Sequence, residues 1–310
     1  MFNLFKKGAV NKKIPSDYKH LLLQEEYERM LGYVFSYFNE KGEEVIKLGD
    51  GFLTVKDDTG KEMKYGFDNL VRMVAAADKD DWEQVVYSHF NKVNFSDAPY
   101  SFYFKDYGHA RQYLKVLIKD EGILKTEYGA DLVARKDFPG TCTVLVFDYD
   151  NQFRFLKKED IKEWHKTEEE LFHEALDNIA GEEVQIHSIK HDEGFEVFSF
   201  FSGDFSAAKM IDPEKNAEFS IGRFGAVIAI PTKGAAFCSP ISDRNVMQIL
   251  EMLAPVITGF FEKDPGSITA SFFWYYKGVI REFPTRPTAD GYVTVSLPKE
   301  LEELFKSPTP

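Results

Sequence analysis

Cysteine is scarce in this chain. Of 310 residues only Cys142 and Cys238 are thiols, so a disulfide framework does not hold the fold, and two free thiols in apolar, strand-like runs point to a reducing compartment. A bridge between them stays open on sequence grounds. No eighteen apolar residues run together, which gives no expectation of a membrane-spanning helix. Met1 to Lys13 carries Lys6, Lys7, Lys12 and Lys13 but not the apolar stretch of a secretory leader. A cytoplasmic protein with a basic, disordered tail over residues 1–15 is expected. Basic charge is in deficit: 38 Lys and Arg face 51 Asp and Glu, for a net charge of -13. That balance repels phosphate backbones, so it argues against nucleic acid and favours a basic protein partner. Also missing are Gly-x-Gly-x-x-Gly, a Walker loop, His-Glu-x-x-His and Gly-x-Ser-x-Gly, and with them the usual support for nucleotide, zinc-protease and serine-hydrolase chemistry. No cofactor is implied.

Apolar and aromatic residues are plentiful. The hydrophobic share is 44%, with 29 Phe and 15 Tyr, which is read as Phe-rich cores, with an aromatic-lined groove as the sharper alternative. The length exceeds that of one ordinary core, so two domains are expected. The stretch from Phe224 to Phe261 organises the rest. Phe224 to Ile230 is an unbroken apolar run of strand length, so both its faces should be covered. Pro231-Thr232-Lys233-Gly234 turns it, Ala235 to Cys238 returns, and a helix follows with Val246, Ile249, Leu250, Leu253, Ile257, Phe260 and Phe261 at spacings of three and four.

Upstream, Ser16 is placed as the cap of a helix whose apolar face is Tyr27, Met30, Leu31, Val34, Phe35 and Phe38. Three short strands, Glu44 to Leu48, Phe52 to Lys56 and Glu62 to Phe67, are separated by Asp50-Gly51 and Asp58-Thr59-Gly60. Helices follow from Asp68 to about Ala77 and from Asp80, the latter with Asp80-x-x-Glu83 as a capping box and with Trp82, Val85, Val86, His89, Phe90 and Val93 on one face. After a break at Asn94 to Pro99 and an aromatic run, Tyr100 to Phe104, a helix is assigned near His109 to Lys119. The domain boundary is set between residues 125 and 126. The second module reads as strands at Thr141 to Phe147 and Gln152 to Leu156, then a Thr167-x-x-Glu170 capped helix. Strands at Glu183 to Ile189 and Phe195 to Phe201 come next, then a polar helical stretch at Pro213 to Phe219. The central hairpin and helix follow, with a closing pair at Ser271 to Tyr276 and Val279 to Phe283. Two α+β modules, 16–125 and 126–285, each a mainly antiparallel sheet covered by helices, are therefore expected, with 286–310 peripheral.

Several of these pieces, in this order, resemble the YtpQ-like bacterial proteins, a family of unknown function. The matching stretches are Tyr65-Gly66-Phe67-Asp68-Asn69-Leu70, Val144 to Asp148, Phe153 to Asp160, Glu168 to Asn178, Gly225 to Pro231 and the strand pair at Phe272 to Phe283, within residues 20 to 285. Extra material at Tyr100 to Gly129, and Ala235-Ala236-Phe237 where a charged residue is expected, depart from the pattern. The resemblance implies one cytoplasmic α+β protein and carries no reaction, ligand or catalytic residue.

Candidate chemistry is thin. Asp148-x-Asp150-x-Gln152 with Glu159 imitates a calcium loop, but the sixth place, which needs Gly, is Phe153, so a hairpin turn is preferred. His165, Glu169 and His173 would share a helix face if Thr167 did not start a new helix between them. His187 and His191, with Asp192 and Glu193, lie too far apart along a strand to share a metal. His89 on an apolar helical face reads as half-buried and hydrogen-bonded. Cys238 has no electropositive neighbour in sequence to make it a nucleophile. Ser242-Asp243-Arg244-Asn245 opens the long helix, where free amides and Arg244 could receive an anion, or Ser242 or Asp243 could cap the helix. Two functions compete: a non-enzymatic interaction, regulatory or immunity-like protein for a basic partner, and an enzyme using Asp148 and Asp150 with Asp243 and Arg244 if the fold brings them together.

Overall fold

The computed structural model describes residues 12–15, 18–19, 21–49, 51–56, 60, 62–93, 104, 106–126, 129–149, 152–264, 266–287 and 293–306. The expectations placed on the first eleven residues, Ser16, Asp50, Asp58, Thr59, Asn94 to Tyr103 and Asp150 lie outside them. The chain is α+β and divides into two compact units, Met1–Phe95 and Ser96–Pro310, so the boundary set at residues 125 and 126 moves towards the N-terminus.

In the first unit, α1 (Gln24–Glu40) starts well after Ser16, and Leu23 is its N-cap. Glu26 in the first turn accepts the free Leu23 amide at 2.8 Å, which satisfies one of the donors a helix start leaves open. The buried face is Tyr27, Met30, Leu31, Val34, Tyr37 and Phe38. Tyr37 takes the place expected for Phe35 because its hydroxyl reaches Asn91 Oδ1 at 3.0 Å while its ring packs on Phe90. Strands β1 (Glu44–Leu48), β2 (Phe52–Lys56) and β3 (Glu62–Gly66) form an antiparallel sheet. With α2 (Asp68–Ala76) and α3 (Trp82–Val93), its inner residues Leu53, Val55 and Tyr65 join one core with α1.

The second unit opens with a difference. The segment assigned as helix near His109 to Lys119 is a short turn of helix, α4 (Tyr107–Ala110), and then strand β4 (Leu114–Asp120). Leu114, Val116 and Ile118 alternate into the core, and two of the three, Val116 and Ile118, are β-branched, which suits a pleated surface. β4 pairs along its whole length with β6 (Thr141–Tyr149), from Leu114 opposite Phe147 to Asp120 opposite Thr141. β5 (Ala134–Arg135) and β7 (Gln152–Phe155) pair the other edge of β6. β4 thus belongs to the second unit, where Ile118 joins its core.

Helix α5 (Glu168–Ala180) carries the expected capping box: Thr167 Oγ1 accepts from the Glu170 amide at 3.2 Å and Glu170 accepts from the Thr167 amide at 2.9 Å. The main sheet has six antiparallel strands. They are β8 (Gln185–Lys190), β9 (Glu196–Phe201), β10 (Ala226–Thr232), β11 (Ala235–Pro240), β12 (Phe272–Tyr276) and β13 (Val279–Glu282), in the order β13-β12-β10-β11-β9-β8. Between β9 and β10 lie α6 (Ser206–Lys209) and α7 (Pro213–Asn216). All seven residues of β10 are buried. Val227 and Ala229 face α8 (Val246–Lys263) through Val246, Ile249, Leu250, Leu253 and Ile257, and Ala226, Ile228 and Ile230 pack with Ile118, Phe138, Ala207 and Met210 on the opposite side. Each such Val or Ile contributes about 1.5–3 kcal/mol by leaving water. The turn after β10 is tighter than expected: pairing runs on to Thr232 opposite Ala235, leaving Lys233-Gly234 as the loop, and the register slips between Ala229 and Thr232, where Pro231 has no amide to give.

The C-terminal segment is not peripheral. A ribbon of β14 (Thr285–Pro287) and β15 (Val293–Val295) leads to α9 (Lys299–Lys306). Leu301 is fully buried, and Leu304 and Phe305 pack on the α8 side of the sheet. Leu301, Leu304 and Phe305 stand at spacings of three and four, one face of a short helix.

Candidate functional site

Asp148 lies at the end of β6 and is already occupied. Lys115 on β4 reaches it from the neighbouring strand, with Nζ 2.6 Å from Asp148 Oδ2 and 2.6 Å from Glu182 Oε1, just past the end of α5. The same ammonium stands 4.5 Å from the centre of the Phe205 ring. The Lys115 and Asp148 side chains are only 14% and 16% exposed. Burial works against the Lys115 charge, but hydrogen bonds to Asp148 and Glu182 outweigh it and raise its pKa above the ordinary lysine value. Beside it, Lys209 is 7% exposed and donates to Ala180 O at 3.1 Å, at the negative end of α5. Burial lowers the Lys209 pKa, opposed by Glu182. The half-buried ion pairs of Lys115 tie β4, β6 and the end of α5 together, and the Lys209 bond to Ala180 O adds α6.

Ser242, Asp243 and Arg244 are exposed. The helix begins after them, at Val246, and neither Ser242 nor Asp243 caps it: Asn245 is the N-cap residue, and its side chain accepts no amide. Arg244 Nη2 donates to Phe305 O at 2.6 Å, fastening α9 rather than presenting a fork to an anion. The buried Asn245 Oδ1 has no partner among the described residues. Being an acceptor, it is the wrong polarity for an anion. Among the described residues no hydrogen bond or ion pair joins Asp148 to Asp243 or Arg244.

Both thiols are free and buried. Burial, then the nearby Asp120 charge, pushes Cys142 up to about 11. Burial pushes Cys238 up to about 12, although Ser220 Oγ lies 3.0 Å from its Sγ. Neither forms thiolate near neutral pH. His165 precedes α5 with a positive φ of 51°, and His173 sits on the helix, 3.4 Å from Asp177. His89 is half-buried against the edge of Phe90, as its place on the helix face implies. His191 stacks on Phe195 at 4.6 Å and 10°. Among the described residues no three His, Cys, Asp or Glu side chains converge as a metal site. No helix among them is long and apolar enough to cross a membrane.

One feature of the second unit is open. β8 is the last strand of the six-stranded sheet, and all six of its residues are exposed, including Ile186 at 45% and Ile189 at 64%. A sheet edge normally carries charge, is short, or is covered; here an isoleucine stands exposed on each face. Sequence reading located this strand but not its place in the sheet, because strand order is decided by distant partners. In the first unit, Glu25, Glu26, Arg29, Lys79 and Trp82 line a depression of about 240 Å³. Arg29 fills part of it, 5.5 Å over Trp82 and bonded to Lys79 O, while Lys79 pairs with Glu26 at 2.6 Å.

No family model, curated protein or solved structure matches this chain.

Proposed function

We propose that this chain is a non-enzymatic cytoplasmic protein that binds and regulates a basic protein partner, in the manner of an immunity-like neutraliser, and that its kin are the YtpQ-like bacterial proteins. The observation that carries the reading is the placement of charge. Residues 96–310 hold 35 Asp and Glu against 24 Lys and Arg, whereas residues 1–95 hold 16 against 14. An acidic surface of this kind speeds encounter with a basic protein and disfavours phosphate-bearing ligands such as nucleic acid. The engagement of Asp148 by Lys115, of Arg244 by Phe305, and the protonated state of both thiols also support binding over catalysis.

The test is native co-purification of the tagged chain, identification of any stoichiometric companion, and reconstitution from the two purified proteins. A companion of high isoelectric point is expected, with an association rate that falls at least about tenfold as salt rises from low to several hundred millimolar. A companion that is acidic, or an association rate indifferent to salt, would overturn the reading.

A further inference from the structure

Resting on the reading of this protein as a binder of a basic partner, we infer that the docking element is the free edge of β8, and that its occupant is an extended segment of the partner, basic at both ends and apolar in alternation between, which adds as a seventh antiparallel strand. The backbone decides which groups are on offer. Beyond β8 the chain turns through Asp192-Glu193-Gly194, with the His191 amide bonded to Phe195 O at 2.8 Å and the Gly194 amide to His191 O at 2.9 Å. His191 and Phe195 are therefore a hydrogen-bonded pair. Since such pairs alternate along an antiparallel ladder, Ile189, His187 and Gln185 point their amides and carbonyls at Val197, Ser199 and Phe201, their register partners. The amides and carbonyls of Ile186, Ser188 and Lys190 then point away from the sheet. On the far side of β9 the Ser202 amide bonds to Gly234 O at 3.0 Å, which fixes the same alternation independently.

The side chains supply the rest of a strand-docking site. On one face Ile186 lies opposite Phe200, and the exposed Phe219 meets Phe198 edge-on at 4.9 Å and stacks on Phe200 at 6.2 Å. On the other face Ile189 lies opposite Val197. An incoming strand therefore finds apolar surface on both sides of its backbone, which is how main-chain pairing gains selectivity. The ends of β8 select charge. The exposed Glu183 precedes it, Asp192 and Glu193 follow it, and Lys190, the one Lys or Arg on the strand, lies opposite Glu196 in the ladder. A second copy of this chain is disfavoured, because antiparallel pairing of two β8 strands sets the Glu183 end of each against the Asp192-Glu193 end of the other. A strand with Lys or Arg at both termini meets opposite charge at both.

The probe is the capped peptide Lys-Lys-Val-Thr-Val-Thr-Val-Lys-Lys, compared with its counterpart bearing Glu for every Lys, on the full chain. Binding by the basic peptide at least tenfold tighter is expected, with new amide protection at Ile186, Ser188 and Lys190 and none added at His187 or Ile189. Ser188→Pro, which removes one outward donor and spares the inward ladder, should weaken the peptide at least tenfold, and Ser188→Ala should not. Because a proline variant can misfold, the ligand is altered as well: N-methylation of one alternate set of peptide amides should abolish binding, and of the other set should leave it intact. Equal binding by both N-methylated series overturns the inference, as does a properly folded Ser188→Pro that binds like the parent. Protection of β8 that grows with protein concentration and no peptide identifies a second copy as the occupant, and also overturns it. If a basic companion co-purifies equally with Ser188→Pro, the edge is not the dock while the binding reading stands; if none co-purifies with the parent chain, that reading itself falls.

Discussion

Lys115 shows how much of this protein's polar chemistry is internal. Its two carboxylate partners lie far off in sequence, Asp148 on the neighbouring strand and Glu182 beyond a helix, so no local motif announces them. Removing the ammonium leaves two carboxylates facing each other in a half-dry site. Lys115→Ala is expected to cost about 3 kcal/mol in urea unfolding, since breaking a buried pair strands its partners. The pH dependence has a definite sign. A base whose pKa is raised on folding stabilises fully below its unfolded value, 10.5, and loses that contribution as pH climbs through the folded value. The thiols act in the same direction: their folded values near 11 and 12 exceed the reference value of 9.0, so the folded state holds protons that the unfolded state releases above about pH 9. Stability should therefore fall on the alkaline side from about pH 9, less steeply in Cys142→Ala and Cys238→Ala. Reaction with an aromatic disulfide reagent at pH 8 should be slow until the chain is unfolded; two thiols titrating at once in the native protein would contradict their burial.

At the level of elements, capping and close approach set the boundaries. Thr167→Ala should destabilise by about 1 kcal/mol, the ordinary loss for a helix N-cap, measured by thermal or urea unfolding. Lys166 first, then the Thr167 amide, hold the exposed Glu170 carboxyl down to about 2, so its stabilising contribution is present above the usual carboxylate value and is lost as pH falls towards 2. Gly225, with φ of +89°, leads into β10 where a Cβ would stand 1.9 Å from Tyr275 O. Gly225→Ala should cost at least about 2 kcal/mol through strain and displacement of the β12 backbone. Leu301→Ala, in the helix the sequence pattern left outside, should cost about 2–5 kcal/mol because it empties a fully buried site. A cost below 0.5 kcal/mol would mean that α9 is an appendage. β10 was legible because its apolar run covers both faces, and α5 because Thr167 and Glu170 announce its start. β4 was not, since Tyr113, Leu114 and Leu117 fit a helical face as well as Leu114, Val116 and Ile118 fit a strand, and only pairing with β6 decides between them. The C-terminal helix was hidden behind the Thr and Pro residues that precede it.

Across the whole molecule, the cores among the described residues are each closed within one stretch of chain: one runs from Ile14 to Phe90, and two lie wholly beyond residue 96. Each half, expressed alone as residues 1–95 or 96–310, is expected to unfold cooperatively; a half that shows no transition would mean that its core is incomplete. The candidate site was less legible than the fold. Asp148, Ser242, Asp243 and Arg244 were singled out for residue type and turn context, yet their partners are set by long-range folding: Arg244 ends on Phe305, 61 residues away. β8 carried no motif at all. Its interest lies in being last in the sheet with both isoleucines uncovered, a property of strand order.

Residue-resolved amide exchange of the free protein tests this most directly. Within β8, the amides of Ile186, Ser188 and Lys190 should exchange at nearly the rate of an unstructured chain, while those of His187 and Ile189, bonded to β9, should be slowed at least about a hundredfold. Uniform protection along Gln185–Lys190, or the opposite alternation, would show that this edge is covered or out of register, and the docking role drawn from it would fail.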